Sequence, residues 1–162
     1  MLCLYVRGEV KDALITAVKK LKGGDPRQDD MSIGPKISKS TAAIVEKSMN
    51  DRHNRQPMIL EDAPFDTDAR KEEIFGPMIL LYSYNDFKEA VKEANNTHYG
   101  LQSGIFMHDL NKAFYAFEHI EAGGVCLNDS PSMRVDSQPY GGIKDSGIQS
   151  STRWMTCSKP RF

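Results

Sequence analysis

The chain has 162 residues, 40% of them apolar and 27% charged, with a formal net charge of −1 at pH 7. That length supports one domain with a modest core, and the composition is that of an ordinary globular protein. The balanced charge and the lack of a Lys/Arg-rich block speak against nucleic acid or a membrane as partner. No apolar run approaches the roughly 20 residues of a membrane span. Met1-Leu2-Cys3-Leu4-Tyr5-Val6 lacks the basic start and long apolar core of a signal peptide, so a cytoplasmic location is the default expectation.

Leu2 to Val6 predicts a strand, and apolar residues at 10, 13, 14, 17, 18 and 21 predict a helix over Val10 to Lys22, stopped by Gly23-Gly24-Asp25-Pro26. Ser38 with Ser40 or Thr41 caps a second helix through about Met49. Asn50 to Gln56 is polar without a period, and Pro57-Met58-Ile59-Leu60 reads as a short strand. Glu61 to Arg70 is an acidic linker into Arg70-Lys71-Glu72-Glu73-Ile74-Phe75-Gly76-Pro77. There Pro77 biases Gly76 away from the helical region, so two carboxylates and an aromatic sit on a loop. A buried strand follows, Met78 to Tyr84.

Asn85 is the expected N-cap of a helix that places Phe87, Ala90, Val91 and Ala94 on one face. The loop Asn95 to Leu101 leads into a strand at Ser103 to Met107. Asp109 caps a further helix with Leu110, Ala113, Phe114, Phe117 and Ile120 inward. Gly123-Gly124 closes that helix and Val125-Cys126-Leu127 forms a strand ending at Asn128. Strand and helix alternating with short connections predicts an α/β fold, a mostly parallel sheet with crossover helices. In such sheets ligands gather beyond the carboxyl ends of strands, and the loop from Asn128 to Gly147 is long enough to carry function. Cys3, Cys126 and Cys157 are scattered and odd in number, which describes no disulfide framework. Neither they nor His53, His98, His108 and His119 have paired metal-ligand spacing, so no metal is expected.

Three stretches together resemble the NAD(P)-dependent aldehyde dehydrogenase superfamily. Glu72-Glu73-Ile74-Phe75-Gly76-Pro77 resembles its Glu-Glu-Ile-Phe-Gly-Pro signature. Asn95-Asn96-Thr97-His98-Tyr99-Gly100-Leu101 is similar to its Ala-Asn-x-Thr-x-Tyr-Gly-Leu loop. Pro139-Tyr140-Gly141-Gly142-Ile143-Lys144-Asp145-Ser146-Gly147 is similar to its Pro-Phe-Gly-Gly-x-Lys-x-Ser-Gly block. Weaker echoes are Lys20-Leu21-Lys22-Gly23-Gly24-Asp25-Pro26 and Ile33-Gly34-Pro35. The resemblance covers the carboxyl-terminal portion of the family's catalytic domain, over 1–149, followed by a divergent, truncated tail over 150–162. No stretch resembles the Rossmann-type cofactor domain or the Glu-Leu-Gly-Gly-Lys general-base segment.

The resemblance implies NAD(P)-dependent oxidation of a small aldehyde to an acid. That chemistry needs a thiolate, an oxyanion donor, a nicotinamide for the hydride and a base for the deacylating water. It makes Glu73 a partner of the nicotinamide ribose and Phe75 a support for the nicotinamide side of NAD or NADP. Tyr140 takes the aromatic position lining the aldehyde funnel, against a packed core Tyr. Arg134 resembles a basic residue of branches acting on hydroxy- or acid-bearing aldehydes, against a surface or loop-bracing Arg. Cys3 is the candidate nucleophile under an alignment that needs a one-residue deletion; otherwise it is a small buried strand Cys. The family assembles through its catalytic domain, so self-association or pairing with an intact paralogue is the alternative role. The isolated chain is expected to have little or no activity.

Overall fold

The computed structural model of the chain describes residues 2–34, 58–64, 67–72, 76–147 and 154–157. The helix expected over 38–49, the polar stretch 50–56, and Glu73, Ile74 and Phe75 lie outside the described residues. The chain divides into two compact units, Met1–Asn85 and Asp86–Phe162.

The first unit contains β1 (Leu2–Val6), α1 (Gly8–Val18), β2 (Met58–Glu61), α2 (Asp68–Lys71) and β3 (Met78–Ser83). Its three strands form a parallel sheet in the order β1-β3-β2. The most apolar strand takes the centre: Met78, Leu80, Leu81 and Tyr82 are all buried. A strand covered on both faces tolerates such a run without polar alternation. Tyr5 pairs in register with Tyr82, and their rings stack with centroids 5.4 Å apart. Met78, Leu80 and Tyr82 form the core here, with Tyr5, Leu60 and Ala63 packed against them. Helix α1 is shorter than its apolar period predicts. It ends at Val18, its one buried residue, because the chain then turns so that the Gly24 amide donates to the Ile33 carbonyl at 3.0 Å. Val10 and Leu21, placed on the stripe by sequence, are exposed.

The second unit contains α3 (Phe87–Ala94), β4 (Tyr99–Gly100), β5 (Gln102–Ile105), α4 (Leu110–His119), β6 (Gly124–Leu127), β7 (Ile143–Lys144) and β8 (Trp154–Cys157). Strands β5, β6 and β8 form a parallel sheet with β6 in the middle and wholly buried. β4 and β7 make a separate antiparallel ribbon. The core joins Val91, Ile105, Ala113, Ala116, Ile120, Val125 and Leu127, with Phe87 and Phe117 packed on it.

The cap of α3 is Asp86 rather than Asn85: its carboxylate accepts from the Glu89 amide at 2.9 Å, the hydrogen bond that defines an N-cap. Asp109 caps α4 as its sequence predicts, accepting from the amides of Asn111 and Lys112. The inward face of α4 differs from the expected one. Ala113, Ala116 and Ile120 are buried, while Leu110 and Phe114 are 66% and 54% exposed. The small alanines form the stripe that enters the core, which leaves the two large side chains on the flank. Strand β8 lies within the stretch 150–162 that reads in the sequence as a divergent tail. Trp154, Thr156 and Cys157 suit a strand, but four residues are too few to show a period. No described helix is long and apolar enough to cross a membrane.

Candidate functional site

The loop leaving β6 is built from short local turns. Asn128 takes a left-handed backbone, φ 57°, which Asn tolerates better than most residues, and its side-chain oxygen accepts from the Met107 amide at 2.9 Å. The Ser130 hydroxyl accepts from the Ser132 amide, and the Met133 amide donates to the Ser130 carbonyl at 3.0 Å. A further turn follows, with the Gln138 amide donating to the Val135 carbonyl at 3.0 Å. These turns fold the loop so that the Arg134 guanidinium lies over the Tyr140 ring, 5.2 Å from its centroid. That is within cation–π range and contributes on the order of 0.5–1 kcal/mol at an exposed site. Tyr140 is 48% exposed, which excludes the core-packing role, and Arg134 is exposed as well. A guanidinium carries its N–H donors in the plane of a fork that a carboxylate or phosphate meets edge-on.

Beyond Tyr140 the chain is held tightly. A Cβ on Gly123 would stand 1.8 Å from the Gly141 carbonyl oxygen, so the two backbones approach as only glycine permits. The Gly100 amide donates to the Ser146 hydroxyl at 2.9 Å, and the Asp145 amide donates to the His98 carbonyl at 3.0 Å. The Lys144 ammonium donates to the carbonyls of Asn95 and Thr97 and pairs with Glu121 at 2.6 Å. None of Asn95, Glu121 and Lys144 stands out in the sequence as a site residue, because each meets its partners across long chain separations.

In the first unit, Cys3 sits on β1, an edge strand of its sheet. Its side chain is exposed, not buried as a small strand Cys would be. The atoms packed near the sulfur nevertheless push its thiol up, and the opposing charges of Arg70 and the amino terminus do not reverse the shift. Burial, with Asp129 adding to it, pushes up the Cys126 thiol too. At Cys3 burial outweighs the nearby positive charge, and at Cys126 burial and a negative charge act together, the reverse of what makes a cysteine a thiolate near neutral pH.

Arg70, the first residue of the acidic-aromatic octet, is the unforeseen residue of this unit. It is 7% exposed, donates to the Tyr5 hydroxyl at 3.2 Å and stacks 4.8 Å from the Tyr82 ring centroid. Its cationic head thus closes the end of the core instead of facing water. Glu72 is exposed. Glu73 and Phe75 fall outside the described residues, so of the sequence-derived site residues the structure brings together Arg134 and Tyr140.

Among known proteins, the model of the aldehyde dehydrogenase family matches residues 50–157. The lactaldehyde dehydrogenase of Methanococcus aeolicus is 40% identical in an alignment 158 positions long that covers 88% of this chain and 34% of that protein. The sulfoacetaldehyde dehydrogenase of Neptuniibacter caesariensis is 33% identical over 85% of this chain and 34% of its own length. The crystal structure of aldehyde dehydrogenase 21 from Physcomitrella patens, in complex with the reaction product succinate, superimposes with a TM-score of 0.86 at 57% identity. It covers 92% of this chain and 35% of that one. Glyceraldehyde-3-phosphate dehydrogenase from Methanocaldococcus jannaschii, complexed with NADP, gives 0.79 at 34% identity over 90% and 36% of the two chains. The chain therefore spans about a third of the length of these relatives. With a family match over most of its length and parallel α/β sheets of the same fold, the chain belongs to the aldehyde dehydrogenase family.

Proposed function

We propose that this chain carries the substrate-anion side of an aldehyde dehydrogenase that oxidises a small, negatively charged aldehyde to its acid with NAD or NADP. Arg134 pairs with the anionic group and Tyr140 lines the approach of the aldehyde. The observation that carries the reading is the exposed Arg134 whose guanidinium carbon lies over the exposed Tyr140 ring, 5.2 Å from its centroid. Two facts from relatives support it: the 57% identical structure was solved with the dicarboxylate succinate, and another relative is named for sulfoacetaldehyde.

A nicotinamide would take the hydride. Among the described residues no glycine-rich turn leads from a strand into a helix to cradle a dinucleotide, and Glu73 and Phe75 lie outside them. In this reading the chain binds and orients the substrate, with Glu73 as partner of the nicotinamide ribose and Phe75 as support for the nicotinamide, and the isolated chain is expected to give little or no turnover. Its partners are then the small aldehyde and, through the family's shared surface, other aldehyde dehydrogenase chains, in the cytoplasm.

The test is a titration of the 162-residue protein with succinate, followed by NMR at the Arg134 side chain in the wild type and at the Tyr140 ring in wild type and variant alike, together with an absorbance assay for reduced cofactor over small anionic aldehydes. Loss of a charge-assisted hydrogen-bonding partner, about 1.5–3 kcal/mol, predicts roughly ten- to hundredfold weaker succinate binding in Arg134→Met. Equal binding by wild type and variant would remove Arg134 from the site. Clear turnover that disappears in Cys3→Ala would overturn the inactive reading and make Cys3 the nucleophile.

A second reading, a non-catalytic module that associates with itself or an intact paralogue, is favoured by one observation. Phe106, Leu110 and Phe114 are 71%, 66% and 54% exposed within nine residues of chain. Light scattering after size exclusion, with and without a full-length relative, tests it; a strictly monomeric chain that ignores the relative removes it.

A further inference from the structure

Lys144 is an unusual anchor. It takes a left-handed backbone, φ 54°, which few non-glycine residues adopt. Its three ammonium protons meet three acceptors: the Asn95 carbonyl at 2.8 Å, the Thr97 carbonyl at 3.1 Å and the Glu121 carboxylate at 2.6 Å. Asn95 completes the arrangement. Its side-chain nitrogen donates to the His119 carbonyl at 2.7 Å, and its side-chain oxygen accepts from the Glu121 amide at 2.8 Å. Asn95, Glu121 and Lys144 thus form a closed triangle in which each residue bonds the other two. It joins the ends of α3 and α4 to the β7 strand. The Lys144 side chain is 25% exposed and the Glu121 side chain 50%, so their ion pair is partly open to water and the two carbonyl bonds share the work of holding the ammonium.

From Lys144 the chain runs back through Ile143, Gly142 and Gly141 to Tyr140. Gly142 is itself confined, since a Cβ there would stand 2.8 Å from the Ser146 carbonyl oxygen. Tyr140 is therefore where a rigidly held segment ends and an exposed loop begins. On the far side, Arg134 is held by local turns alone, and its one described cross-loop contact is the Tyr140 ring.

We propose that the Asn95–Glu121–Lys144 triangle is a positioning device for the Arg134–Tyr140 pair: it fixes the Tyr140 ring, and the ring fixes the guanidinium. Its functional meaning rests on the anion-binding reading above, but its geometry is tested without any ligand. A guanidinium stacked on an aromatic ring has its Arg side-chain resonances displaced upfield by the ring current, and the size of that displacement reports the stacking directly. In the full 162-residue protein the Arg134 displacement is measured against Tyr140→Leu, which sets the unstacked value. Lys144→Met is expected to lose more than half of the displacement while the amide resonances of Val91 and Val125 in the core stay in place. Glu121→Gln, which keeps both carbonyl bonds to the ammonium, is expected to lose a smaller part.

A Lys144→Met protein that is folded and keeps the full displacement overturns the proposal, because the lysine then serves stability alone. Should Lys144→Met fail to fold, the near-isosteric Glu121→Gln decides: an unchanged displacement there overturns it equally. Failure of succinate to shift Arg134 in the wild type would sink the anion-binding reading and leave the positioning result standing, so the two are separable.

Discussion

Gly123→Ala is the sharpest test of how the candidate loop is seated. The added methyl would fall 1.8 Å from the Gly141 carbonyl oxygen, 2.9 Å from its carbonyl carbon and 3.2 Å from the Leu101 carbonyl oxygen. All three neighbours are backbone atoms, so no rotamer change relieves the clash and one segment must retreat by roughly an ångström or more. Overpacking of this kind costs about 1–3 kcal/mol. Retreat also loosens the bond from the Gly123 amide to the Gly100 carbonyl at 3.0 Å, worth another 0.5–1.5 kcal/mol or so. Against this stands the usual gain of about 0.4–1 kcal/mol when alanine replaces glycine and stiffens the unfolded chain. The net expectation is a loss of about 0.5–4 kcal/mol in the second unit, centred near 2.

Because the chain has two compact units, the loss should be read from amide hydrogen exchange in α4 and β6 rather than from a single melting curve. Gly8→Ala serves as the control. Nothing lies within 4 Å of a Cβ at that first residue of α1, so the same substitution there should be neutral or stabilising. Equal stability of Gly123→Ala and wild type would refute the close approach of residues 123 and 141.

Gln102 offers a gain: both polar atoms of its amide are buried with no partner among the described residues, and an unmet buried group costs about 1–3 kcal/mol. Gln102→Met keeps the length without the demand and should raise the urea midpoint by the equivalent of about 1–2 kcal/mol, whereas a lowered midpoint would reveal a partner for the amide. For Cys3, a raised thiol pKa means that the folded chain holds its proton where the unfolded chain has lost it. Stability should then be unaffected below the ordinary thiol range and fall as pH rises through it, and Cys3→Ser should flatten that alkaline decline. Alkylation of Cys3 at neutral pH as fast as a free low-pKa thiolate would contradict the shift.

Local signals in the sequence were reliable where local physics decides. The apolar run from Met78 lies at the centre of a sheet, and Asp109 caps α4 because a carboxylate two or three residues before unpaired amides needs no distant partner. Periodicity failed where a neighbour chooses the face. Leu110 and Phe114 match the helical stripe as well as Ala116 does, yet the core takes the alanines, and nothing local to 110–120 encodes that preference. Arg70 reads as a charged linker residue until Tyr5, 65 positions earlier, supplies its partner.

The contacts that seat the candidate site are of the same long-range kind. Asn95 meets His119 and Glu121 at separations of 24 and 26 residues, and Lys144 reaches Asn95 across 49. Their sequence trace was the pair of motif stretches, 95–101 and 139–147, which looked like independent blocks. In the fold they are one object: Tyr99 pairs with Lys144, Gly100 with Ile143, the Gly100 amide with the Ser146 hydroxyl and the Asp145 amide with the His98 carbonyl. A ribbon this short, two residues a side, does not hold itself together on backbone bonds. The glycines let the backbones close, and Lys144 locks them from the side. Residue types that seemed to belong to a ligand loop are thus mostly spent on holding the loop still, which leaves Arg134 and Tyr140 as the exposed pair they present.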